Sequence, residues 1–208
     1  MKTFMIFAAA ICLLQSASFS QSDASSKEED KVTMYSRPGK FHQLLGDLVG
    51  TWKFKGAHYE WIDSVTSRVA VNVAGKATRK PFANGRYFIV ELTSDSTLPL
   101  PIQDGKMIIG QYKEIQTEGY DNVKNKFQIT LISNHNGSSI NYWEGPYDPA
   151  TRTITLDGEF EEVPGEKMSG RTLFKFIDND HYKLEYYLEF NGKYYKVTET
   201  NYTRIKTK

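Results

Sequence analysis

Five Asn-Gly or Asp-Gly pairs punctuate the chain: Asn84-Gly85, Asp104-Gly105, Asn136-Gly137, Asp157-Gly158 and Asn191-Gly192. Such pairs enter the left-handed backbone region cheaply, which a tight hairpin turn demands. The stretches between them are rich in Val, Ile, Thr, Tyr and Phe, and several alternate apolar with polar residues. Tyr182, Leu184, Tyr186, Leu188 and Phe190 alternate with Lys183, Glu185, Tyr187 and Glu189; Ile154 and Leu156 alternate with Thr153 and Thr155. One apolar and one wet face is the pattern of an antiparallel sheet over a single core. The spacing predicts ten strands, near 51–62, 65–79, 86–94, 106–118, 125–133, 138–146, 151–161, 169–178, 181–190 and 193–205.

One short helix precedes them. Phe41, Leu44, Leu45 and Leu48 follow i, i+3, i+4, i+7 spacing, and Gly50 can stop the run. Ten strands joined by short turns leave two unprotected edges unless the sheet closes on itself. The expected fold is therefore all-β: a single closed antiparallel up-and-down barrel of about ten strands, lipocalin-like, with one short N-terminal helix. A two-sheet sandwich is the alternative, but few long crossovers are available to build Greek keys. A barrel of this size is expected to enclose a space of roughly 300–1,000 Å³ for a small ligand.

The N-terminus reads as an export signal. Lys2 is followed by the apolar run Phe4 to Leu14, too short to span a bilayer, then by small residues at Ser18 and Ser20. Residues 1–20 are thus expected to be removed, residues 21–38 to form a flexible leader, and residues 39–208 to form the barrel domain. Cys12, the chain's single cysteine, would leave with the signal, and Ile11 before it speaks against a lipid anchor. The mature protein would be periplasmic or secreted, without disulfides and without a stable membrane anchor. Lys+Arg number 26 and Asp+Glu 25 in the full chain, so no basic surplus marks a nucleic-acid partner. The oligomeric state is left open.

Gly50-Thr51-Trp52 at the start of the first strand resembles the lipocalin and fatty-acid-binding superfamily, in which the Trp closes the barrel floor under an Arg from the last strand. Arg204 stands in the matching place. A longer resemblance runs through His42, Leu45, Leu48, Gly85-Arg86-Tyr87, Gly119-Tyr120-Asp121-Asn122, Gly145, Tyr147-Asp148, Gly158, Pro164, Tyr202 and Arg204. These residues resemble a bacterial domain-of-unknown-function family, numbered 1579. The resemblance implies a lipocalin-like (calycin-type) barrel and brings no activity with it. The sequence departs from the family pattern at Leu131-Ile132-Ser133, where a Trp-x-Asp stretch is usual.

Chemistry-bearing motifs are sparse. The sequence has no G-x-S-x-G, P-loop or G-x-G-x-x-G, and His42, His58, His135 and His181 lack zinc-ligand spacing, so no catalytic or metal site is assigned. No cofactor is required; haem held through His58 is the one option retained. Polar residues on apolar strand faces are the better lead, because a buried charge must meet an opposite charge or a ligand. By parity Arg86 goes with Phe88, Val90 and Leu92, and Glu199 with Tyr195 and Val197. Arg86 and Glu199 are therefore candidate ligand-binding residues, with Tyr112, Trp143 and Tyr186 as aromatic wall. Trp52 and Arg204 are assigned to the structural floor.

These features point to an exported protein that holds a small apolar or amphipathic molecule with a polar or anionic end. The alternatives are an enzyme of the same barrel using an inward Arg or Glu, and a protein-interaction module. A strongly shifted carboxyl deep in the barrel would mark the enzyme. An exposed aromatic patch on a filled barrel would mark the module.

Overall fold

The computed structural model describes residues 31–206 except Ser64 and Asn136. The expected signal peptide and the first part of the leader lie outside the described residues. Residues 31–36, expected within the flexible leader, are helical. The chain is held here at Tyr35 and at Arg37 just beyond, whose carbonyls accept from Asn122 Nδ2 at 2.7 and 3.0 Å.

The helix α1 spans Lys40–Gly46. Its N-terminus is fixed by His42 Nδ1, which accepts from the Gly39 N–H at 3.0 Å. Phe41 packs against Tyr120 and Phe127, with ring centroids 4.6 and 5.8 Å away. Eleven strands follow: β1 (Gly50–Trp61), β2 (Ser67–Phe82), β3 (Tyr87–Pro101), β4 (Met107–Asp121), β5 (Lys126–Ser133), β6 (Asn141–Gly145), β7 (Tyr147–Asp148), β8 (Thr153–Glu161), β9 (Lys167–Phe176), β10 (His181–Phe190) and β11 (Lys193–Arg204). They form one antiparallel sheet in the order β6-β5-β4-β3-β2-β1-β11-β10-β9-β8-β7.

Closure occurs where β6 also meets β8, at Glu144 opposite Asp157. The result is a closed ten-stranded barrel, with the two-residue β7 as an extra strand. Gly145 makes the seam possible: a Cβ there would lie 1.8 Å from the Thr155 carbonyl oxygen. Three of the expected hairpin turns are present, with positive φ at Asn84, Asp104 and Asn191 and at the glycine after each. Asp157-Gly158 is not a turn but lies inside β8. There Asp157 binds Arg171 across the outer face at 2.6 Å, and Gly158 makes room for an indole ring described below.

First and last strands pair from Trp52 opposite Arg204 to His58 opposite Thr198. Trp52 is fully buried and its Nε1 donates to the Leu48 carbonyl at 2.9 Å. The Arg204 guanidinium carbon lies 4.2 Å from the Trp52 ring centroid. The same guanidinium donates to the carbonyls of Val49 (2.7 Å), Asp47 (2.5 Å) and Asn179 (2.9 Å). One side chain thus ties the chain after α1, the start of β1, the end of β11 and the β9–β10 turn into a floor.

The core fills the floor half. Trp52, Phe88, Phe127, Ile154, Leu156, Phe174 and Tyr182 are each no more than 2% exposed. Toward the other end the inward-facing residues change character. Tyr112, Leu131, Ser133, Leu184, Tyr186 and Thr198 remain half-exposed although they face the inside. The barrel is packed at one end and reached by solvent at the other.

Candidate functional site

The site is built on β4, whose inward parity carries polar residues: Tyr112, Glu114, Gln116 and Glu118. Nearest the floor, Glu118 faces Arg79 of β2. Arg79 Nε and Nη2 donate to the two Glu118 carboxylate oxygens at 2.8 and 2.7 Å, with the side chains 2% and 1% exposed. Burial works against the Arg79 charge, and the Glu118 carboxylate more than offsets it. The guanidinium carbon also lies 5.7 Å from the Phe174 ring and 5.6 Å from the Tyr182 ring. Its Nη1 is buried and has no hydrogen-bond partner among the described residues. Phe174, Tyr182 and Tyr202 form a stack beside it, with successive centroids 4.8 and 4.3 Å apart.

Two pleat repeats nearer the mouth stands Glu114, 8% exposed. It accepts from the Tyr112 hydroxyl and from Gln116 Nε2, both on its own strand. Burial raises its pKa, those two donors oppose the shift, and Glu118 adds to it. Among the described residues no Lys or Arg side chain pairs with Glu114. Tyr112 is likewise pushed upward, first by burial and then by Glu114.

The aromatic wall lies across the interior. Trp143 of β6 and Tyr186 of β10 meet edge to face at 5.7 Å. Two glycines paired across β8 and β9, Gly158 and Gly170, seat the Trp143 indole: a Cβ at either would come within 2.7 Å of its ring. At the mouth, His58 Nδ1 lies 3.2 Å from Thr198 Oγ1. The surrounding wall lowers its pKa, and His135 adds a smaller effect in the same direction. The His135 ring is 6.3 Å from that of Tyr112. Among the described residues no three His, Cys, Asp or Glu side chains come together to hold a metal.

Of the five predicted ligand-binding residues, Tyr112, Trp143 and Tyr186 face the interior, with Trp143 and Tyr186 in contact, and the other two lie outside it. Arg86 is exposed, because it caps the short helical turn Ala83–Gly85 with φ −75° and ψ −30° and precedes the alternation of β3. Glu199 faces outward because Val197 is bulged out: Tyr186 pairs with Thr198 but Tyr187 pairs with Lys196, which breaks the parity carried from Tyr195. Glu199 binds Lys196 at 2.6 Å and Lys183 at 2.9 Å on the outer wall. Glu185 joins the same network. Burial opposes its charge, yet Lys175 and Lys183 hold it down at about 2.

Sequence reasoning missed Arg79, Glu114 and Glu118. The signal was there as period-2 parity: Glu118 stands opposite Phe88 and Glu114 opposite Leu92, both apolar and inward.

The cavities also differ from the expected closed interior. A cleft of about 390 Å³ lies outside the barrel, between α1 and the Asn84-Gly85 turn, lined by His42, Gln43, Pro81 and Phe88 among others. Inside the mouth, Ser133, Asn141, Phe160 and Glu162 line a recess of about 20 Å³. That recess is about the size of one water.

Residues 37–204 match a family described as a protein of unknown function, DUF1579. The chain belongs to this family. The match runs from the residues tethered by Asn122 to the Arg204 floor clamp, and so covers the whole barrel of this DUF1579 protein. No curated protein matches the chain.

Proposed function

We propose that this DUF1579 protein is an exported binder of a small, largely apolar molecule with a polar end, held in the open half of the barrel. The observation that carries the reading is the gradient along the inward faces. Floor-side residues are buried to completion, whereas Leu131, Leu184, Tyr186 and their neighbours face inward and stay half-exposed. Apolar surface left uncovered on a concave wall is stabilised by a guest that covers it, at about 25 cal/mol per Å² before the costs of binding. The small recess means that the guest lies against the mouth-side wall and displaces side chains such as Tyr186 to enter. Tyr112, Trp143 and Tyr186 supply its apolar contacts. Tyr112, Glu114 and Gln116 supply the polar ones. Export rests on the order of Lys2, the apolar run and Ser18-x-Ser20.

Acid–base catalysis in the same barrel is favoured by one observation, the buried carboxyl of Glu114 with its raised pKa. Both its oxygens already accept hydrogen bonds from Tyr112 and Gln116, which fits a fixed recognition group better than a proton carrier.

Native mass spectrometry of protein purified from its own host tests the binding reading. The expected result is a population with one extra small-molecule mass per chain, released by organic solvent. Bare protein at every purification stage, from gentle lysis onward, would count against a resident ligand.

A further inference from the structure

We propose that the open half of the barrel selects a small organic cation, an ammonium on an apolar or aromatic body, with Glu114 as its counter-ion. The inference deepens the reading just given and rests on it.

Charge accounting along the inner wall leads there. Arg79 and Glu118 neutralise each other through two hydrogen bonds and offer a ligand no net charge. Glu114 is the buried ionisable group left over. Its hydrogen-bond donors are a neutral hydroxyl and a neutral amide. The groups near it are Glu118 on its own strand, Leu92 on β3, Ser133 on β5 and Tyr202 on β11, none of them cationic. Among the described residues, the inward positions of the open half hold no buried Lys or Arg; Lys193, on the inward parity at the start of β11, is exposed. Lys175, Lys183 and Lys196 are on the outer face, paired with Glu185 and Glu199. At the mouth, Glu162 lines the recess together with Ser133, the residue paired with Glu114. Of the histidines there, burial lowers the pKa of His58.

An anionic ligand end would therefore meet two carboxyl groups and no free buried cation. A neutral end gains hydrogen bonds only. An ammonium gains a carboxylate in a poorly solvated site and the π faces of Tyr112, Trp143 and Tyr186 around its body. The ammonium nitrogen is placed against the Glu114 carboxyl, which the Tyr112 hydroxyl and the Gln116 amide hold in position.

The test uses three fluorescent probes of like body titrated into the purified protein near neutral pH: dansylcadaverine as the ammonium, its N-acetyl derivative as the neutral form, and 11-(dansylamino)undecanoate as the anion. The ammonium is expected to bind at least about tenfold more tightly than either of the others. Glu114→Gln should reduce the ammonium's preference over the other two probes to below about threefold. Should that variant fail to fold, a smaller loss of preference in Glu162→Gln decides. Equal binding of all three probes, or tightest binding of the anion, overturns the cation assignment and leaves the ligand-binding reading standing. Binding of none of the three overturns both.

Discussion

Glu118→Gln is expected to destabilise the protein by about 3–5 kcal/mol, because it leaves Arg79 as an uncompensated charge in the floor half of the barrel. Both side chains are within 2% of complete burial, so water cannot take over from the lost carboxylate. Total stabilities of domains run at roughly 5–15 kcal/mol, which makes this a large share. Replacing both partners, Arg79→Met with Glu118→Leu, should recover most of the loss, since desolvation of the two ions is removed along with their attraction. Urea unfolding of wild type, single and double variants measures this directly. A single-variant loss under about 1 kcal/mol would mean that the pair is wet in solution, and that the polar file on β4 is reached from the floor side as well.

The second large effect belongs to the floor. Trp52→Ala should cost about 3–5 kcal/mol through the cavity left by a fully buried indole. The loss also strips the Leu48 carbonyl of its donor and leaves Arg204 without the ring beneath it. Arg204→Ala should cost less. The guanidinium is partly solvated, and the chain pairing of β1 with β11 remains, but four hydrogen bonds to carbonyls of Asp47, Val49 and Asn179 go with it. Thermal unfolding distinguishes the two. A Trp52→Ala barrel as stable as wild type would separate the first and last strands from the floor function given to them here.

Most of the barrel was legible because hairpins are local. Asn84-Gly85, Asp104-Gly105 and Asn191-Gly192 adopt the left-handed conformation that the pairs advertise, and the strands beside them start close to the apolar alternation, although β3 runs on to Pro101, beyond the expected end at 94. Asp157-Gly158 carries the same dipeptide without a turn, since its glycine is used for space: the Trp143 ring lies over it and over Gly170. No local rule separates those two uses of glycine. The residues behind the family resemblance also acquire physical meaning. Asn122 holds the carbonyls of the entering segment, Gly145 lets β6 touch β8, and Gly158 seats an indole.

The interior was harder to read than the frame. Parity along a strand transmits orientation only while the ladder is regular. The bulge at Val197 turns Glu199 out, and the helical turn before β3 leaves Arg86 on the surface. The requirement that an inward charge find a partner did hold, but its owners were Arg79 and Glu118, hidden because each sits on a strand whose apolar signal is weak. On β2 the inward row is Gly75, Ala77 and Arg79, and on β4 the inward row is polar while Ile115 faces solvent. The recess inside the mouth could not be anticipated from strand number, because its size depends on which rotamers the wall aromatics adopt.

The measurement that bears most directly on the open half of the barrel is a heteronuclear NMR titration with the neutral hydrophobic probe N-phenyl-1-naphthylamine. The account predicts saturable shifts confined to inward residues of that half, above all Ser133, Trp143, Tyr186 and Thr198, with one probe per chain. Saturating probe that leaves those resonances still, or moves only His42, Asn84 and their neighbours in the cleft beside α1, would contradict it.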